Sequence, residues 1–143
     1  MFYRNLLYSL IICLLICACD KRRDVLLGNW ERDTIQTLDS VNESIVDWDS
    51  ERRHEMQLIY AEVASFEFGR YFVKIDDGNE LNGWHAARTI NYSILESLSD
   101  LIIIQLHQQP PRGDEYMELN FIDDQKFWID VGGGMKDFYK KKK

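Results

Sequence analysis

Apolar and polar positions divide the chain into two textures. Residues 6–18 are apolar apart from Ser9, and a charged run, Asp20-Lys21-Arg22-Arg23-Asp24, follows at once. From Phe66 onward the spacing is mostly that of strands, with apolar residues on alternate positions. Phe66 and Phe68 flank Glu67, and Gly69-Arg70 can turn. Tyr71, Val73 and Ile75 alternate with Phe72, Lys74 and Asp76, and Asp77-Gly78 is a hairpin signal. Trp84–Ile94 reads as a long strand with Trp84, Ala86, Ile90, Tyr92 and Ile94 on one face and Arg88 interrupting it. Leu101–Leu106 is nearly all aliphatic, fit for a strand buried on both faces or lying against a lid. Pro110-Pro111 and Gly113 make Gln108–Asp114 a loop. Strands follow over Tyr116–Ile122, Lys126–Val131 and Met135–Tyr139, parted by Asp123-Asp124 and Gly132-Gly133-Gly134.

The stretch between leader and Phe66 reads less uniformly. Thr34, Ile35 and Thr37 predict a first strand over Glu31–Leu38, with a turn at Asp39–Asn42 and a short strand at Ser44–Trp48. Asp49 or Ser50 can cap a helix with Glu51 in its first turn, and Met56, Ile59, Tyr60 and Val63 then fall at helical spacing. A helix from about Ser50 to Glu55, extending to Tyr60, is expected; a strand over Met56–Phe68 is the competing reading. The fold class is therefore mainly β: about eight strands in an antiparallel meander, with one short helix near residues 50–60. Strands joined by tight turns pair side by side, and a meander this long tends to close into a barrel, removing its edges.

The leader changes the picture from fold to address. One basic residue, Arg4, precedes an apolar run shorter than the ~20 residues a bilayer span needs, which is the layout of a secretory signal. Ile16-Cys17-Ala18-Cys19 resembles the lipobox of bacterial lipoproteins: aliphatic, variable, small, cysteine. That resemblance implies diacylglyceryl transfer to the Cys19 thiol, cleavage before it, and acylation of the new amino terminus, with palmitate as a typical chain. Residues 1–18 would be the signal peptide, 19–24 a lipidated tether, 25–139 the domain and 140–143 a basic tail. Asp20 resembles the signal that retains enteric lipoproteins at the periplasmic face of the inner membrane; other sources would imply the outer membrane. An uncleaved anchor helix over Leu6–Cys19 is the alternative.

Gly28-Asn29-Trp30, followed by this meander, is similar to the Gly-x-Trp opening of lipocalin-like barrels. The resemblance implies that Trp30 plugs the closed end and that the barrel binds a ligand or partner. The family's Thr-Asp-Tyr motif has no counterpart, and where its late arginine packs on the Trp, this chain offers only lysines.

Composition narrows the chemistry. Cys13, Cys17 and Cys19 all lie in the leader, so the domain has no disulfide, thiolate metal site or cysteine nucleophile. The chain carries 17 Lys and Arg against 24 Asp and Glu, a formal −7, and loses only Arg4 with the leader. An acidic body does not seek nucleic acid; it suits a basic partner or simple solubility. His54, His85 and His107 lie in three separate elements without metal-ligand spacing. Asp76-Asp77-Gly78-Asn79-Glu80 lacks the spacing of a calcium loop and reads as a turn. Ser93, Ser97 and Ser99 have no nucleophile-elbow setting, and Gly132-Gly133-Gly134 precedes no helix that would cradle phosphate. Arg88 is the open question: pointing inward it needs a carboxylate or ligand, unless the register breaks there.

The expectation is a non-enzymatic binding module without cofactor, metal or catalytic residues. It would be anchored to the membrane through its lipid and take a small apolar ligand or a protein partner. An immunity or inhibitor lipoprotein that neutralises a periplasmic toxin or hydrolase is the alternative.

Overall fold

Gly28–Arg32 forms the first strand, β1, and every later strand is laid against the one before it until the last returns to β1. A computed structural model describes residues 23–76, 87–108 and 113–143. After β1 come helices α1 (Thr34–Ser44) and α2 (Ser50–Ala61). Strands β2 (Ser65–Phe68), β3 (Phe72–Asp76), β4 (Arg88–Ser97), β5 (Leu101–His107), β6 (Glu115–Asp123), β7 (Lys126–Gly132) and β8 (Met135–Lys141) follow. All neighbours are antiparallel and in sequence order, and the sheet is a closed, lipocalin-like barrel. Trp30 is opposite Phe66 in β2 and Lys141 in β8, so it sits on the closing seam. Lys140 and Lys141 belong to β8, which carries the barrel past the expected boundary at residue 139.

Inward-facing residues fill the barrel as the alternation predicts. Phe66, Phe68, Val73, Ile75, Ile90, Tyr92, Leu119, Phe121, Phe127 and Tyr139 are buried together. The aliphatic β5 is buried on one face, not both: Ile102, Ile104 and Leu106 point in, while Leu101, Ile103 and Gln105 are half-buried on the outer wall. In β4 the register shifts between Ile94 and Glu96, not at Arg88. Trp84, His85 and the Asp77-Gly78 and Pro110-Pro111 turns lie outside the described residues, as do Cys19 and Asp20. Among the described residues, every strand of the ladder lies between Gly28 and Lys141. Among the described residues no helix is long and apolar enough to cross a membrane.

The region between β1 and β2 corrects the sequence reading. The strand expected over Glu31–Leu38 stops at Arg32, and the expected turn at Asp39–Asn42 is helical. Residues 45–48 turn rather than forming a strand. Asp33 caps α1 by accepting from the Gln36 N–H. Thr37, Val41 and Ile45 then recur every four residues on one face and are fully or almost fully buried. Burying a side chain such as Val41 or Ile45 contributes about 1.5–3 kcal/mol, more than the few tenths that β-branching costs a helix. The expected helix is present as α2, capped by Asp49. Its Met56 and Tyr60 pack on Val41, Ile45 and Met135, a small core outside the barrel. Val63 does not extend the apolar stripe; it lies past the helix and is exposed.

Candidate functional site

The two ends of the barrel differ because the chain crosses them differently. One end gathers the start of β1 with the tight turns between β2 and β3, β4 and β5, and β6 and β7. A helical turn at residues 23–26 lies beside it. Trp30 is fully buried towards this end; its indole Nε1–H donates to the Leu26 carbonyl at 2.8 Å, and its ring packs on Phe127 at 4.7 Å and Phe121 at 5.9 Å. Lys141 Nζ lies 5.3 Å over the indole and donates to Val25 O at 2.8 Å. A lysine thus covers the tryptophan where the lipocalin-like pattern led one to look for an arginine. Gly28 has φ +117, a conformation that L side chains rarely adopt, and Lys141 Cε would lie 3.4 Å from an added Cβ.

The opposite end is open and lidded. There the end of β1, the start of β2 and the mouths of β3 to β8 surround a cavity of about 300 Å³. Its walls are Ala64, Phe66, Ile75, Leu106, Met117, Ile129 and Val131, and α2 covers it with Ile59 and Tyr60. Aromatic packing around Trp30 fills the lower barrel.

One side of this cavity is a buried ion pair. Arg32 and Asp137 are 7% and 6% exposed at their side chains. The guanidinium grips the carboxylate in fork geometry, Nε to Oδ1 at 2.8 Å and Nη2 to Oδ2 at 2.9 Å. Asp137 also accepts from Thr37 Oγ1 at 3.2 Å and from the Tyr139 hydroxyl at 2.8 Å. Arg32 Nη1 donates to the Glu62 carbonyl at 2.9 Å, and its carbon centre lies 5.3 Å over the Tyr60 ring. Thr37 accepts the Phe138 N–H at 2.9 Å. One network therefore joins β1, α1, the end of α2 and β8. Burial and then the neighbouring Asp137 charge push the Tyr139 hydroxyl far above its ordinary range, so it stays a donor. Burial lowers the Arg32 pKa, but the Asp137 hydrogen bond and charge outweigh it, and the guanidinium is held charged.

Arg88 belongs to the rim. It pairs in regular register with Ile75 and keeps the parity of Ile90 and Tyr92, so no register break is needed. It tolerates that position because the strand begins there, at the open mouth, where water still reaches it. With Asp76 and Glu115 it gives an apolar cavity a charged lip. A larger groove, about 530 Å³ and no more open to solvent than the mouth, lies against Glu31, Glu67, Lys74 and Lys142. Its walls are largely charged while those of the mouth are largely apolar, which makes the mouth the better container for a small apolar molecule.

The remaining candidates disperse. His54 is exposed on α2. His107 meets Ser93, Oγ to Nε2 at 2.9 Å, and faces Asp114 across 3.7 Å. The serine, histidine and aspartate order resembles a nucleophilic triad, but the His–Asp distance is beyond a hydrogen bond. His107 and Asp114 are more than two-fifths exposed. With water reaching both the histidine and the aspartate, this is a surface contact. Among the described residues no group of three His, Cys, Asp or Glu is placed to hold a metal. Gly132, Gly133 and Gly134 all have positive φ and make the β7–β8 turn.

The Arg32–Asp137 network escaped sequence reasoning because its members are 105 residues apart. Its only local trace is Asp33-x-x-Gln36, a capping signal directly after Arg32. No protein-family model matches the chain, and neither the curated proteins nor the solved structures gave a match.

Proposed function

We propose that the protein is a membrane-anchored envelope lipoprotein, lipidated at Cys19, whose barrel is a non-enzymatic binding module for a small apolar ligand. The supporting observation is the mouth cavity: about 300 Å³, apolar-walled, lidded by Ile59 and Tyr60, with Arg88 at its lip. That volume is at the lower end of the range for small-molecule sites, roughly 300–1,000 Å³, so the ligand is compact. Asp20 places the domain at the inner membrane in an enteric source and at the outer membrane otherwise.

A solvatochromic naphthalene probe tests the reading. Met117 is half-buried on the cavity wall. Met117→Trp should weaken the probe by about tenfold or more, a loss of ~1.4 kcal/mol, at an unchanged melting temperature. A probe that binds neither protein, or both equally, would count against a mouth site.

A second reading, an immunity or inhibitor lipoprotein, draws on the lid. Val46, Trp48 and Leu58 are exposed there among Glu43, Asp47, Glu51 and Glu55. An apolar set with one tryptophan among acids suits a basic protein partner, whose encounter opposite charge would accelerate. Under this reading Trp48→Ala with Glu51→Lys abolishes neutralisation of the toxin or hydrolase, while Met117→Trp leaves it intact.

A further inference from the structure

Among the described residues, exposed cations gather around an exposed aromatic at the closed end. The guanidinium carbons of Arg23 and Arg70 lie 5.8 Å and 5.7 Å from the Tyr71 ring, one contributed by the 23–26 turn and the other by the β2–β3 turn. Tyr71 is 62% exposed and serves no core. Lys142 is tied to the same end by its backbone N–H on Asn29 O at 2.8 Å, and Lys143 follows it. Both lysines are exposed. The β4–β5 turn adds Leu98, 48% exposed.

We infer that this closed end is a docking face for an anionic lipid bilayer, with Arg23, Arg70, Lys142 and Lys143 on headgroup phosphates and Tyr71 in the interfacial layer. Charge complementarity selects the occupant. A body of net negative charge is repelled by an anionic surface everywhere except where its cations are segregated. A tyrosine flanked by guanidiniums has an apolar ring and a polar tip, which suits the boundary between headgroup and acyl chain. The acids of this end set the tilt: Asp100, Asp123 and Asp124 lie on the β4–β5 and β6–β7 turns, so the β8–β1–β2–β3 side leans in; there Asp24 stands beside Arg23, Glu31 lies 3.9 Å from Lys142 Nζ, and Glu67 lines the same groove as Lys142 and Lys143. Docking so turns the ligand mouth towards water.

The inference is separate from the lipid anchor but agrees with it. Only Asp20, Lys21 and Arg22 separate Cys19 from Arg23. Even fully extended, that reach is about 14 Å. A lipid on Cys19 and this face would therefore meet the same membrane.

Vesicle co-sedimentation of residues 23–143, which contain the whole strand ladder and no lipidation site, isolates the surface from the anchor. The domain should bind vesicles of equimolar phosphatidylglycerol and phosphatidylcholine, ignore pure phosphatidylcholine, and be released by salt. The triple reversal R70E/K142E/K143E should lower partitioning about 100-fold. The charge-matched reversal R52E/R53E/K136E, on α2 and at the start of β8, should leave it unchanged; near-UV circular dichroism checks that both variants fold. Absence of binding, equal binding to both vesicles, or equal loss in the two variants would overturn the inference. Lipid labelling at Cys19 is scored separately, so either result can fail without the other.

Discussion

Arg32 ties three elements of this structure together. It ends β1, closes a fork on Asp137, and holds the last carbonyls of α2. Taking both charges out of water is costly, and the carboxylate recovers that cost through four hydrogen bonds rather than one. Arg32→Met strands a buried carboxylate and should cost ~3–5 kcal/mol in urea unfolding. Replacing both partners, Arg32→Met with Asp137→Leu, should recover a large part of that loss; a double variant as weak as the single would show that the charges are not what matters. Burial raises the pKa values of Tyr60, Tyr92 and Tyr139. In the unfolded chain these phenols ionise near pH 10, while the folded state keeps their protons. Their stabilisation is complete below that pH and is lost as pH rises. Tyr139 alone should give a slope of about −1.4 kcal/mol per pH unit above pH ~10. Urea midpoints that stay flat into alkali would contradict it. None of this is legible locally: Arg32 in the sequence is one more charged residue after a tryptophan.

At the scale of elements, strand alternation was a reliable guide and β-branching was not. Phe72–Asp76 and β5 to β8 follow directly from apolar residues every second position, because each strand has one face in the barrel. Thr34, Ile35 and Thr37 suggested a strand where α1 forms, since their β-branching was weighed without the stripe Thr37, Val41, Ile45 that continues it. The helix is stabilised by tertiary contact, which local propensity does not see. Thr37 is the joint: fully buried, it links α1 to both Asp137 and the Phe138 N–H. Thr37→Val keeps the volume and removes the hydroxyl, leaving a buried N–H unpaired, at a cost of about 1–3 kcal/mol. Hydrogen exchange at Phe138 should accelerate in step. Protection unchanged from the parent would mean that β8 does not depend on the lid.

The whole molecule is polarised along the barrel axis. The Arg23–Tyr71–Arg70 cluster and the covered tryptophan are at one end; the cavity and the helical lid are at the other. The barrel class was legible from strand count and turn spacing. The mouth cavity was only partly so: Arg88 stood out as a charge on an apolar face, but Glu115 comes from β6, which does not pair with β4 and reaches the same lip only through the curvature of the barrel. The address belongs to this scale too. Cys19→Ala should abolish incorporation of labelled lipid and leave the precursor at its full mass; continued labelling would remove the lipobox reading and leave the barrel untouched.

Because β8 is both the last strand of the chain and the mate of the first, the ladder has no finished intermediate size. A chain stopped after Gly132 would leave β1 and β7 each with a bare row of peptide groups and Arg32 without its carboxylate. A premature stop would therefore release an adhesive open sheet rather than a smaller working domain.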